Sequence, residues 1–185
     1  MMQILLRLSR WIDRTSVWVG RFTFGLMLVM VALGAYNAIA RYLGNFNNIN
    51  LSSNLYIEAQ WYLFSSIFLL GASYVLQRGA HVRVDVFYSH LSAKGKAWVD
   101  LLGACLLLLP VCVVMFWFSL PYVLNSWKVL EASSDPNGLP RYPLKTAILV
   151  GLALLALQGI SEIIKQAAIL LDAVSDDASD REART

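Results

Sequence analysis

Long apolar runs, broken by few charges, occupy residues 22–42, 55–77, 97–124 and 144–171 of the chain. An α-helix rises about 1.5 Å per residue, so about 20 residues cross the roughly 30 Å hydrocarbon core of a bilayer. A segment in lipid must satisfy its own backbone hydrogen bonds, and none of these runs alternates apolar and polar positions like a barrel strand. The pattern predicts an all-α integral membrane protein with four transmembrane helices. Pro110 is expected to kink the third.

Ahead of the first span, Ile4, Leu5, Leu8, Trp11, Ile12 and Val19 recur at helical spacing, with Arg7, Arg10, Arg14 and Arg21 mostly off that stripe. Residues 1–21 therefore read as an N-terminal interfacial amphipathic helix. A basic start before an apolar run also describes a secretory signal, with Ala38-Ile39-Ala40 as its cleavage site. The apolar run is longer than the roughly 7 to 15 residues of a signal core, which argues against cleavage.

The connections between spans are rich in residues that stop helices or prefer water. Residues 44–54 form an Asn/Ser loop, 77–96 carry both histidines, and 125–143 hold three of the five prolines with a Pro-Asn-Gly turn. Within the middle loop, Val82, Val86, Phe87, His90 and Leu91 fit one face of a short amphipathic helix at the cytoplasmic surface. Val82, Val84 and Val86 equally fit a strand alternation. The acidic tail, 172–185, has too little apolar surface to fold alone.

Composition agrees with a membrane location. Hydrophobic residues make up 58% of the chain and charged residues 15%, against about 45–50% and 25% in soluble domains. The net charge of +3 is too small to suggest a nucleic-acid partner. Its distribution is more informative. Eleven Lys and Arg lie on the side of both termini and the middle loop, and four (Arg41, Lys128, Arg141 and Lys145) lie on the other. The excess of positive charge puts both termini in the cytoplasm. Trp11, Trp18, Tyr74 and Trp98 inside, and Tyr42, Tyr56, Trp61, Trp127 and Tyr142 outside, suit interfacial belts. Cys105 and Cys112 sit seven residues apart in one helix, separated by roughly 10 Å of rise, too far to bridge.

Polar groups inside spans are costly in lipid and face protein or water. Gly151, Leu155, Gln158, Glu162 and Lys165 share one face of the fourth helix, Gly34, Asn37 and Arg41 one face of the first, and Glu58, Ser65 and Ala72 one face of the second. These faces could form an ion path or hold helices together. Glu58, Arg41, Asp100 and Glu162 all lie near span ends, which favours helix packing. Glu58 is expected to pair with Arg41 or to cap its own helix, and Asp85 to cap a short helix or pair with Arg78 or Arg83.

No catalytic constellation is legible. His81 and His90 lie in one loop, unlike haem ligands on facing helices, and no carboxylate cluster or cysteine accompanies them as metal ligands would require. There is no phosphate-binding loop, dinucleotide fingerprint or nucleophile elbow. The chain is not expected to be an enzyme or to hold a cofactor or metal.

Glu58-Ala59-Gln60-Trp61-Tyr62-Leu63-Phe64 at the start of the second helix precedes Arg78-Gly79-Ala80-His81-Val82-Arg83-Val84-Asp85 just past its end. Together these resemble the small membrane subunit of tripartite ATP-independent periplasmic (TRAP) transporters. Ser126-Trp127, Glu131, Gly138-Leu139-Pro140 and the stretch Leu157-Gln158-Gly159-Ile160-Ser161-Glu162-Ile163-Ile164-Lys165 look like further family features. Arg141-Tyr142-Pro143 departs from the pattern at the start of the fourth helix.

The resemblance implies a bacterial inner-membrane subunit of a sodium-driven importer of organic acids. A large membrane subunit would carry the substrate and sodium sites, a periplasmic substrate-binding protein would deliver the acid, and this chain would brace the large subunit's scaffold among membrane lipid. Glu58, Gln60, Trp61, His81, Arg83, Asp85, Gln158 and Glu162 would then belong to a subunit interface or structural motif. A structural or assembly subunit of another membrane complex is the alternative.

Overall fold

The computed structural model describes residues 2–47, 53–79, 91–135 and 138–182, with the side chains of all but 45–47, 93 and 172–182 among them. Helix α1 runs from Met2–Asn47 and α2 from Asn54–Gln77. Helix α3, Ala93–Leu102, passes through a π-helical turn, Gly103–Leu108, into α4, Leu109–Lys128. Helix α5 spans Tyr142–Glu182. Four of the resulting rods are long and apolar enough to cross a membrane, and each contains one of the runs expected from sequence.

Local chemistry accounts for where the helices begin and end. The hydroxyl of Ser53 accepts from the Leu55 amide to cap α2, and that of Ser92 accepts from the Gly95 amide to cap α3. Gly79, at φ 62°, ends α2, and its N–H donates to the Leu76 carbonyl. The expected disturbance at Pro110 takes the form of the π turn before it, in which Leu109 N–H donates five residues back to Ala104. Pro110 has no N–H to offer the Leu106 carbonyl, and a widened turn absorbs that break in the ladder. Pro143 falls in the first turn of α5, where a missing N–H is harmless, so the departure at Arg141-Tyr142-Pro143 is compatible with a clean start at Tyr142.

Residues 2–21 do not form a separate helix. They continue without a break into the first span, giving a 46-residue rod. Likewise residues 172–182 of the acidic tail extend α5. The segment expected as a short amphipathic helix, 82–91, lies almost wholly outside the described residues.

Helix α5 is the hub, packing against α1, α2, α3, the π turn and α4, while α1 also packs along α2. What is buried is mostly polar or small: Ser9, Ser16, Ser73, Gln158 and Ser161 are sequestered, while Trp117 and Phe118 of α4 are exposed. Lipid is as apolar as leucine, so helices in it associate through small residues and hydrogen bonds. Gly151 shows the fit. A Cβ there would lie 2.6 Å from the backbone oxygen of Leu69, so α2 and α5 touch backbone to side-chain-free backbone.

Candidate functional site

Two polar assemblies occupy opposite ends of the bundle. At the end that carries the termini, Ser9, Asp13 and Ser16 follow 4-3 spacing and share one face of α1. They meet Gln158, Ser161, Glu162 and Lys165 on α5. Gln158, with no solvent exposure, is held from several sides. Its Oε1 accepts from Ser16 Oγ at 2.7 Å, and its Nε2 donates to Asp13 Oδ1 at 2.8 Å and to Glu162 Oε1 at 3.3 Å. Ser161 Oγ donates to Asp13 Oδ1 at 2.8 Å and lies 2.7 Å from Ser9 Oγ. Lys165 Nζ completes the assembly, 2.5 Å from Glu162 Oε1 and 3.3 Å from Asp13 Oδ2.

This arrangement satisfies its members mutually. Asp13 accepts from a serine, an amide and an ammonium, so its lone pairs are used, and it shares the Lys165 charge with Glu162. Asp100, Glu162 and Lys165 also border a cavity of about 820 Å³ between α2 and the π turn.

At the opposite end, the connection from α4 to α5 folds down over α2. Glu58 is buried, and its Oε2 accepts from the Leu139 amide at 2.6 Å. One turn on, the Tyr62 hydroxyl donates to the Leu139 carbonyl at 3.1 Å. Both polar groups of one peptide residue are thereby tied to α2. The pairing of Glu58 with Arg41 expected from sequence does not form, and Ser53 serves as the cap of α2. A backbone amide is a better partner because it adds no second desolvated charge.

The same connection is secured from α4 and α5. Glu131 pairs with Lys145 and accepts from Ser126 Oγ at 2.7 Å. The Lys145 hydrogen bond, followed by the one from Ser126, holds the Glu131 carboxyl below its ordinary range. Lys145 also lies over the Tyr122 ring, and Trp127 Nε1 donates to Thr146 Oγ1 at 2.8 Å. An isolated bridge between Ala132 and Pro140 narrows the loop, and Arg141 N–H donates to the Glu131 carbonyl at 2.7 Å.

The residues singled out from sequence therefore do not converge. Glu58 belongs to the loop clamp, while Gln158 and Glu162 belong to the seam at the other end. Gln60 donates to the Tyr56 carbonyl and faces Gly34 of α1, and Trp61 is 73% exposed. His81, Arg83 and Asp85 lie outside the described residues. Sequence reasoning passed over Asp13, Ser9 and Ser16, hidden within a basic arm, although their spacing continues through Gly20 and Thr23 toward Gly34 and Asn37. It also missed Tyr62 as a donor, since its acceptor is a backbone carbonyl far along the chain.

Comparison with curated proteins and with solved structures gives no match. A family described as "Tripartite ATP-independent periplasmic transporters, DctQ component" matches residues 30–168. That match takes in α2, α3 and α4, the clamped loop, most of the first span and Gln158 to Lys165. It is a family of transporter components, not of enzymes. With four helices long and apolar enough to cross a membrane among its described residues, and the matched region covering well over half of its length, this chain belongs to the DctQ component family of the TRAP transporters, the small membrane subunits of those systems.

Proposed function

We propose that this small permease subunit braces the stationary scaffold of a large transport subunit in a sodium-driven importer of organic acids, with a periplasmic substrate-binding protein delivering the acid. One observation carries the reading. The polar groups of the seam and the clamp bond to one another, while the surface offered outward is broadly apolar, as at Trp61, Trp117 and Phe118. Side chains used in this way hold a rigid body together and leave apolar faces for lipid and a membrane partner. Glu58, Gln158 and Glu162 act as structural residues in this account, and Trp61 as part of a face toward the partner. His81, Arg83 and Asp85 belong to the same structural motif.

The subunit sits in the bacterial inner membrane with both termini in the cytoplasm. The eleven-to-four bias of basic residues supports that orientation. The N-terminal arm meets the inner surface through the stripe that includes Ile4, Leu8 and Trp11.

Reconstitution tests the role. The chain alone in liposomes with a sodium gradient should take up no organic acid; uptake should appear when a matching large subunit and binding protein are added. Uptake by the small chain alone, or full activity of the other two components without it, would overturn the bracing role.

A further inference from the structure

Helix α2 and the α3–α4 rod each pack on α5 and scarcely on each other, which leaves two cavities between them. One, of about 730 Å³, lies beside the clamped loop and is bordered by Glu58, Trp61, Phe64, Phe68, Tyr122 and Ile148. The other is the cavity of about 820 Å³ at the seam end, bordered by Leu76, Leu107, Val111 and Glu162. Val111 and Tyr122 share one face of α4, and Ile148 and Glu162 share one face of α5, so the two cavities lie in line. They form a trough along α2 from Ile57 to Leu76, about 28 Å at 1.5 Å per residue, close to the full hydrocarbon thickness of a bilayer. Along its wall Trp61 is 73%, Phe64 60% and Phe68 70% exposed.

A buried carboxylate marks the loop end of the trough. Glu58 is 9% exposed and lines the cavity there. Its Oε2 is taken by the Leu139 amide, while Oε1, which is not sealed from solvent, accepts nothing among the described residues. The cations beside it are engaged elsewhere: Lys145 pairs with Glu131, and the Arg141 guanidinium donates to Ser133 Oγ. Asp135 adds a further negative charge at the same end. Water reaches Glu58 while the trough is open. An apolar occupant would strip that water away, so it has to bring a donor of its own.

We propose that the trough seats one transmembrane helix of the large membrane subunit, with a Lys or Arg of that helix donating to Glu58 Oε1 and its apolar side lying on Trp61, Phe64 and Phe68. Length separates a helix from a lipid: a phospholipid is confined to one leaflet, about half of the trough, whereas a spanning helix reaches both ends. A basic side chain answers the excess of negative charge at the loop end. The proposal rests on the large-subunit partner and adds where on this chain that partner binds.

The test uses the complex of the full chain with a matching large subunit, purified in detergent. Benzoylphenylalanine placed at Trp61 and at Leu107, exposed positions toward the two ends of the trough, should form photo-adducts with one and the same helix of the large subunit. At Val31 and Val113, which are exposed but border neither cavity, it should not. The adduct from Trp61 should map within about two turns of a Lys or Arg. Glu58→Gln keeps the acceptor for Leu139 but not the charge, and should lower retention of the large subunit about ten-fold. Adducts with lipid alone, adducts on two different helices, equal yields at Val31 and Val113, no basic residue near the Trp61 adduct, or undiminished retention by Glu58→Gln would each overturn the proposal, and with the large subunit still copurifying the bracing role would stand. A large subunit that did not copurify with the wild type would overturn both.

Discussion

Asp13 and Lys165 stand 152 positions apart in the chain, and their charged groups approach to 3.3 Å. The contact ties the two longest helices together at the end where both termini emerge. Around it, Gln158 and Ser161 direct their donors at the same Asp13 oxygen. The carboxylate is the common acceptor of the seam, which makes it the position whose loss strands the most partners.

Asp13→Ala should lower the stability of the detergent-solubilised chain by about 1–3 kcal/mol, because it leaves a buried amide donor and removes one of two counter-charges from Lys165. Asp13→Asn keeps an acceptor for Ser161 and Gln158 and should lose less. Denaturant unfolding of both variants checks the order; equal losses would mean that the hydrogen bonds contribute little.

Glu58→Gln retains an oxygen that can accept from the Leu139 amide, whereas Glu58→Ala does not. Hydrogen exchange at the Leu139 amide should therefore speed modestly in the first variant and strongly in the second. Assembly with a large subunit should follow the same order. Loss of sodium coupling with assembly intact in Glu58→Gln would instead point to an ion path.

Gly151→Ala should destabilise the bundle by about 1–3 kcal/mol, since the added carbon would lie 2.6 Å from the Leu69 oxygen and backbone cannot yield as a flexible side chain does. At Gly25 nothing lies within 4 Å of an added Cβ, so Gly25→Ala should be tolerated. Thermal unfolding of the pair separates close packing from a general effect of glycine replacement.

The Glu131 carboxyl is held below its ordinary value of 4.5 by the Lys145 and Ser126 hydrogen bonds. Its contribution to stability is complete above the unfolded value and is lost as pH falls through the lower folded value. The stability difference between wild type and Glu131→Gln should thus be constant near neutral pH and shrink toward acid. A difference that widened on acidification would contradict the assignment.

Several features needed no tertiary information. The four runs of apolar residues specify helices fit to span a membrane because a bilayer leaves backbone groups no other partner, and each run falls within one continuous helical rod, the third with a π turn inside it. The 4-3 spacing of Gly151, Gln158, Glu162 and Lys165 likewise identifies the packing face of α5, as Gln158 and Gly151 are buried there. Local periodicity is enough for such features, since every residue involved lies on one helix.

Pairing between helices was decided only by the fold. Nothing in the stripe of Ile4, Leu8 and Trp11 says that the opposite face, with Ser9, Asp13 and Ser16, would dock on α5 and make α1 one unbroken rod. Glu58 could have met Arg41, but the connection from α4 to α5 brings the Leu139 amide to it first, and a lone buried carboxylate takes the nearest donor that asks for no further desolvation. Spacing along a helix determines which groups share a face; which partner each group meets depends on how the helices cross, and that is set by packing between residues far apart in sequence.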